Sequence, residues 1–310
     1  MAPSRLSPPL ESTARDGHAL EDLSDSIDTI NVLKSGMQTA DSKTKTGFRQ
    51  YEDACDRVKM FYCEHHEKQT VAYNLKARYQ MKATTRAEMG IWQAMEKLNS
   101  LIDGSDPDTS LSQIEHLLQS AEAIRRDGKP RWMQLTGLIH DLGKLLYFYG
   151  AEGQWDVVGD TFPVGCTFDE KIIYPDTFAG NEDFNHPIYS TENGIYVPGC
   201  GMDQVMLSWG HDEYLYHVVK DQSLLPNEAL AMIRYHSFYP WHREGAYRRF
   251  MNKEDEKLLS AVREFNPYDL YSKGDEVPDV NQLKVSRECF RHSIPNQLLT
   301  SCAAVLHGTD

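Results

Sequence analysis

Apolar residues recur along most of this chain at the three- and four-residue spacing of helices, not in the alternation of strands. The pattern predicts a long helix from Tyr51 to about Met81, rich in helix formers and free of Pro and Gly. A second helix is expected from Thr85 to about Ile102, because Thr85-Arg86-Ala87-Glu88 has the spacing of a capping box. The turn residues Asp103 to Asp108 end it. Ser110 and Gln113 repeat the capping-box spacing and open a helix to about Arg126, with Leu111, Ile114, Leu117, Leu118, Ala121 and Ile124 as its apolar stripe. From Trp132 to Tyr149 one broad face carries Trp132, Leu135, Leu138, Ile139, Leu142, Leu145, Leu146 and Tyr149, a core-facing pattern. Between Gly150 and about Gly201 the periodicity lapses. Gly and Pro are dense there, apolar runs such as Val157-Val158 and Ile172-Ile173 are short, and residues 158–165 read as turns and short strands. Helices resume near 207–214, after Pro226, and from Asn252 to about Phe265. Residues 266–273 then read as a turn, and a weak helix is expected near 281–291. The fold class this predicts is all-α, with a small strand and loop insertion.

Chemistry enters on the polar side of the segment from Trp132 to Tyr149. His140 and Lys144, four apart, are neighbours on that side; Asp141 lies a short way round, and Gly137 leaves access between them. An imidazole beside a carboxylate suits a divalent metal, and a carboxylate has two oxygens with which to bridge two metals. Elsewhere the same residue types recur. His116 lies opposite its helix's apolar stripe, so on pattern alone it is a surface histidine, and it meets His140 only if consecutive helices enclose a site. His211-Asp212 opens a helix, where Asp212 and Glu213 suit the dipole but His211 is unexplained. His236 shares a face with Ala229, Met232 and Ile233, as a hydrogen-bonded core histidine also would. Asp269 lies in the turn after Pro267. His65 and His66, on a helix flanked by Glu and Lys, read as solvated and receive no role.

Composition narrows the choice. With 310 residues, 40% of them hydrophobic, the chain can bury a large core. Its net charge of -14 argues against nucleic acid or an anionic membrane as partner. Six scattered cysteines without a C-x-x-C motif suggest a reducing, cytoplasmic setting. Residues 1–40 have the composition of a disordered tail and lack a basic-then-apolar leader, and no apolar run is long enough to span a membrane. The expected organisation is a tail over 1–40 and a single catalytic domain over 41–310.

The order His116, His140-Asp141, His211, His236, Asp269 resembles the ligand order of helical HD-type dinuclear metal domains. The resemblance sharpens at Arg49 in Phe48-Arg49-Gln50-Tyr51, at Ser105-Asp106-Pro107-Asp108 and at His140-Asp141-Leu142-Gly143-Lys144. It continues through residues 158–166, Trp209 to Tyr214, and Phe238-Tyr239-Pro240-Trp241. Together, over about 45–280, these segments resemble the myo-inositol oxygenase family.

The resemblance implies an HD-domain-like core and two iron ions, a mixed-valent Fe(II)/Fe(III) pair that uses O2 as co-substrate. His116, His140 and Asp269 would hold one iron, His211 and His236 the other, with Asp141 bridging. Arg49, Asp103, Gly104, Ser105, Lys144, Gly159, Asp160, His236 and Ser237 match positions that surround the substrate, and Lys144 and Asp141 match catalytic ones. The implied reaction cleaves the C1–C6 bond of myo-inositol to give D-glucuronate, in a monomeric cytoplasmic enzyme. Gly104 departs from the pattern where the family can carry a larger acidic residue, and Glu115 precedes His116 in place of an aromatic. Two other readings use the same residues. A metal-dependent phosphohydrolase would need several basic residues at the metal face, where mainly Lys144 stands. A degenerate domain acting as a binding module would not need the full ligand set.

Overall fold

The computed structural model of the chain describes residues 56–83, 87–106, 112–270 and 303–306. The expected tail, Arg49, the helix at 281–291 and the N-terminal serine and threonine of the two expected capping boxes, Thr85 and Ser110, lie outside them.

Instead of one long N-terminal helix there are two, α1 (Asp56–Lys68) and α2 (Val71–Ala83). The break is made by Gln69, which donates to Trp209 O at 2.7 Å and accepts from Trp209 N at 2.9 Å. Thr70 Oγ1 then accepts the amide of Tyr73 at 3.1 Å, starting α2. Val58, Phe61, Tyr62, His65 and His66 form the buried face of α1. The expectation that His65 and His66 are solvated is therefore wrong: they continue the apolar stripe of α1 inward.

The segment read as a helix from Thr85 contains strand β1 (Ala87–Gly90), followed by α3 (Ile91–Leu98). β1 pairs antiparallel with β2 (Ala303–Leu306), with Ala87 opposite Leu306 and Gly90 opposite Ala303. That partner lies more than two hundred residues away, so nothing local announces the strand. α4 (Gln113–Arg126) opens at Ser112, whose hydroxyl accepts from Glu115 N while Glu115 accepts from Ser112 N at 3.1 Å. Glu115, the departure before His116, is thus half of the capping box.

The helix through Trp132–Tyr149 is also divided. α5 (Arg131–Ile139) ends at His140, Asp141 turns the chain, and a 3-10 helix spans Leu142–Phe148. α6 (His211–Gln222), α7 (Asn227–Tyr235), the short α8 (Tyr239–His242) and α9 (Asp255–Leu270) complete the helices. Asn252 Oδ1 accepts the amides of Glu254 and Asp255 at 2.8 and 3.2 Å, as a cap would. α9 runs on through Pro267, so Asp269 sits in its last turn and not in the turn expected after Phe265.

Between 150 and 210 the described residues hold no strand, contrary to expectation; the pairing there is one isolated bridge, Pro163 to Leu207. The segment is made of turns and 3-10 helices at Pro175–Gly180 and Met202–Gln204. It carries a core of its own, in which Phe162, Val164, Cys166, Ile172 and Phe178 pack with Phe238, Trp241 and Phe250. A larger cluster joins α1 to α7 through residues such as Tyr62, Leu117, Leu135, Leu145, Tyr214 and Ile233. α4 packs on α5, α6 on α7 and on the 3-10 helix, and α9 on α7 and α4. The fold is mostly helical, and the ends of these packed helices converge on one buried point.

Candidate metal centre

Each histidine at that point is delivered by a helix end. His116 lies in the first turn of α4, His140 one residue beyond α5, His211 at the start of α6 and His236 one residue beyond α7. The rings of His140 and His236 are fixed alike: Nδ1 lies 2.9 Å from Gly137 O and 3.0 Å from Ile233 O, three residues back on their own helices. His211 Nδ1 lies 2.8 Å from Val157 O. A carbonyl can only accept, so Nδ1 carries a proton in all three rings, and Nε2 is the nitrogen each ring can offer to a metal. The Nε2 atoms face inward, toward the carboxylates.

Asp141 stands in the middle. Its Oδ2 is 3.6 Å from His116 Nε2 and 3.8 Å from His140 Nε2, while its Oδ1 is 3.4 Å from His211 Nε2 and 3.5 Å from His236 Nε2. Asp269 Oδ1 closes the first pair, 3.1 Å from His116 Nε2 and 3.3 Å from His140 Nε2. The six residues expected to be ligands are therefore brought together. Donors about 2.1 Å from one cation lie about 3 to 3.5 Å apart around it, so these spacings suit two cations that share Asp141. Gly137, expected to open access, instead faces α4: a Cβ there would meet Ile124 Cδ1 at 2.6 Å. Gly143 permits a closer approach, since its Cβ would lie 2.1 Å from His211 O. That contact presses the 3-10 helix onto α6 and sets His140-Asp141 against His211.

The charge balance also fits metal. Four buried carboxylates, Asp103, Asp141, Asp212 and Asp269, line the site, and among the described residues one ammonium, Lys144, pairs with the first two. Burial would raise the Asp141 carboxyl, but Lys144 and the imidazoles hold it well below the usual carboxylate range. Burial would lower the His236 ring, but Asp212, Asp141 and Asp269 outweigh it and bring it up to about 9 without metal. The site thus carries surplus negative charge, which a divalent cation can neutralise.

Lys144 is buried, with Nζ 2.9 Å from both Asp103 Oδ2 and Asp141 Oδ2. Desolvation opposes its charge, yet the two carboxylates raise it above the ordinary lysine range, so it is an ammonium. Asp103 also accepts from Ser105 N at 2.9 Å and Ser105 Oγ at 2.6 Å. The 103–106 loop is held from both sides: Arg57 donates to Gly104 O at 2.8 Å and Asp106 O at 3.0 Å, and Gln154 accepts from Gly104 N at 2.7 Å. Gln154 fills the space over Gly104, where a Cβ would meet its Oε1 at 2.5 Å. That is a local reason for glycine at this position.

On the other side, Thr161 N donates to Ser237 O at 3.0 Å, and Ser237 Oγ lies 3.4 Å from His211 Nε2. Gly159 has a φ of +98°, which a side chain would strain, and a Cβ would also meet the Phe61 ring at 2.9 Å. Tyr62 donates to Asp160 Oδ1 at 3.1 Å, and His65 lies 2.5 Å from Trp155 O and 3.1 Å from Asp160 O. Asp103, Gly104, Ser105, Lys144, Gly159, Asp160, His236 and Ser237 thus fall on segments bordering the metal centre. Sequence reasoning missed the supports: Arg57, Tyr62, His65 and Gln154. The stripe Val58, Phe61, Tyr62 could have flagged His65 by its helical spacing, but the partners of Arg57 and Gln154 are remote in sequence.

Comparison with known proteins agrees with this geometry. A family profile described as Myo-inositol oxygenase matches residues 55–298. "Inositol oxygenase" of Dictyostelium discoideum is 49% identical over 276 residues, covering 86% of this chain and 94% of that protein. "Inositol oxygenase 2" of Arabidopsis thaliana is 50% identical over 245 residues, covering 76% and 77%. "Inositol oxygenase" of Sus scrofa is 43% identical over 262 residues, covering 83% and 93%.

Proposed function

The chain belongs to the myo-inositol oxygenase family, and we propose that it uses O2 to cleave the C1–C6 bond of myo-inositol to D-glucuronate. The observation that carries this reading is Asp141, one oxygen facing His116 and His140 and the other facing His211 and His236. We assign two iron ions to the centre, one held by His116, His140 and Asp269, the other by His211 and His236, with Asp141 shared. A mixed-valent Fe(II)/Fe(III) pair would supply the redox chemistry with O2 and polarise a substrate hydroxyl.

The chain's own residues bind, orient and protect. Myo-inositol is a neutral, saturated polyol, so it must be gripped by hydrogen bonds on several sides. Asp103 and Asp160 are the acceptors for its hydroxyls, Ser105 and Ser237 add hydroxyl groups, and Arg49 is assigned to the same ring of contacts. Lys144 holds a proton at Nζ within reach of a hydroxyl between Asp103 and Asp141, where its charge favours the alkoxide over the alcohol. Fixing the ring on both sides exposes one C–H bond and supplies the orientation a weakly reactive substrate needs. Burial of Asp103, Ser105, Lys144, Asp160 and Ser237 excludes bulk water from the reacting carbon.

A phosphohydrolase on the same scaffold would require spare cations for phosphate. Among the described residues the metal face offers one ammonium, Lys144, and its charge is matched by two carboxylates, so several cations for a phosphate are not at hand. We assign residues 41–310 to one catalytic domain with an HD-type helical core, acting as a cytoplasmic monomer. No helix of the described residues is long and apolar enough to cross a membrane. The test is a substrate panel on iron-loaded protein under air: myo-inositol disappears and glucuronate accumulates, while phosphate monoesters and nucleoside phosphates are untouched. Phosphate release without glucuronate would overturn the assignment.

A further inference from the structure

We propose that Gln154 and Arg57 are positioning residues for the substrate: together they clamp the backbone on either side of Asp103, so that its carboxylate meets the polyol in one fixed place. This rests on the reading of Asp103 as a substrate contact given above. Residues 102–106 form neither helix nor strand, so no ladder of backbone hydrogen bonds holds them. Burial alternates along the stretch: Leu101, Asp103 and Ser105 are buried, whereas Ile102 is 71% exposed.

The carboxamide of Gln154 supplies the missing hold. Its Nε2 donates to Ile102 O at 2.9 Å, and its Oε1 accepts from Gly104 N at 2.7 Å. One planar amide thus brackets Asp103, joining the residue before it to the residue after it. The partners, one acceptor and one donor, settle which end of the amide is oxygen. Arg57 takes the carbonyls that Gln154 leaves: it donates to Gly104 O at 2.8 Å and to Asp106 O at 3.0 Å, and its Nη1 lies 3.5 Å from Asp103 O.

The clamp is anchored to the metal centre. Gln154 O accepts Val157 N and Val158 N at 3.0 and 2.9 Å, and Asp156 accepts Glu152 N and Gly153 N at 2.9 and 3.2 Å. Val157 O receives both His211 N and His211 Nδ1 at 2.8 Å. Asp103 is thereby kept in register with His211 by a path of hydrogen bonds that does not use its own carboxylate. The carboxylate itself is held by Ser105 and Lys144, groups that also face the substrate. Those contacts are shared out when a hydroxyl enters, and a fixed backbone then keeps the oxygens in place. Arg57 is exposed and Gln154 half-buried, so neither belongs to the hydrophobic core.

The test is steady-state kinetics with myo-inositol on the iron-loaded full chain, comparing wild type with Gln154→Leu and Arg57→Gln, beside the iron content and thermal melt of each. Leucine keeps the bulk of the side chain and removes both hydrogen bonds. KM should rise about tenfold or more in Gln154→Leu and about threefold or more in Arg57→Gln, with kcat within about threefold of wild type because Lys144 keeps its contact with Asp141. Iron content should match wild type, and the midpoints should stay close to it. An unchanged KM in either variant would overturn the clamp. So would activity that falls only in step with iron content or with the melt, since the residues would then be merely structural. If Gln154→Leu does not fold, Arg57→Gln decides alone. Wild type that forms no glucuronate from myo-inositol would sink the functional reading itself, and the clamp with it.

Discussion

Replacing Lys144 with alanine removes the ammonium wedged between Asp103 and Asp141 at 2.9 Å from each. An exposed lysine near a helix end would contribute only a few tenths of a kcal/mol through the dipole. Lys144 is 9% exposed, so that reading does not apply. A charge-assisted hydrogen bond to a reacting hydroxyl contributes about 1.5 to 3 kcal/mol, and each 1.36 kcal/mol is tenfold in rate. Lys144→Ala should therefore lower kcat/KM for myo-inositol by about tenfold to a hundredfold or more. Losing one partner of a buried pair should also destabilise the metal-free protein by about 3 to 5 kcal/mol, chiefly through Asp103, which keeps only its Ser105 contacts. Iron content should not fall, because the ammonium is not a ligand. The assay is oxygen consumption with saturating and limiting myo-inositol, normalised to bound iron, beside a thermal melt of the metal-free chain. Activity within about threefold of wild type at equal iron would refute the catalytic role of Lys144.

Three further outcomes follow from the geometry. Asp141→Ala should reduce occupancy at both metal positions, whereas His211→Ala should mainly empty one; metal analysis of the purified variants decides, and full occupancy in Asp141→Ala would contradict the bridge. Gly143→Ala, whose Cβ would lie 2.1 Å from the His211 carbonyl, should cost about 1 to 3 kcal/mol or more, read as a fall of several degrees in the thermal midpoint; an unchanged midpoint would mean that the 3-10 helix is not pressed on α6. Glu213, buried and raised by desolvation but lowered more by Arg234 and Arg78, is held at about 2 against an ordinary 4.5. A depressed folded-state value places its stabilisation fully above pH 4.5 and removes it as pH falls toward 2, so Glu213→Gln should lose about 3 to 5 kcal/mol at neutral pH and show a flatter acid slope over that window. Parallel acid slopes for the two proteins would contradict this.

The candidate centre was legible because its residues are chemically conspicuous. His211 was left unexplained by the helix dipole and Asp141 beside His140 offered a bridging carboxylate, while His116 and His236, each with an ordinary surface or core reading, joined them through the ligand order of the family resemblance. The helix from Trp132 to Tyr149 was misread because the 3-10 segment keeps burying Leu142, Leu145 and Leu146. What divides it is the contact of Gly143 with His211, a tertiary demand with no local trace. His65 and His66 were misread because Glu64, Glu67 and Lys68 suggested a wet helix, while the carbonyls of Trp155 and Asp160 that receive His65 lie some ninety residues on. β1 was invisible for the same reason, its partner being β2 near the other end of the chain. Asp269 was placed in a turn because Pro267 looked like a stop, but a proline in the last turns of α9 forfeits one hydrogen bond and the packed helix continues.

The central claim is that a two-iron centre spends O2 on a neutral polyol. Atom balance fixes the stoichiometry: myo-inositol plus one O2 gives glucuronic acid plus one water, with no external reductant consumed in the turnover. The most direct measurement is an oxygen-electrode trace on protein of known iron content after adding a limiting amount of myo-inositol. The account predicts one O2 consumed and one glucuronate formed per myo-inositol, with activity rising in proportion to protein carrying two irons. Oxygen uptake that is absent, or that proceeds without glucuronate in protein loaded with two irons, would contradict it.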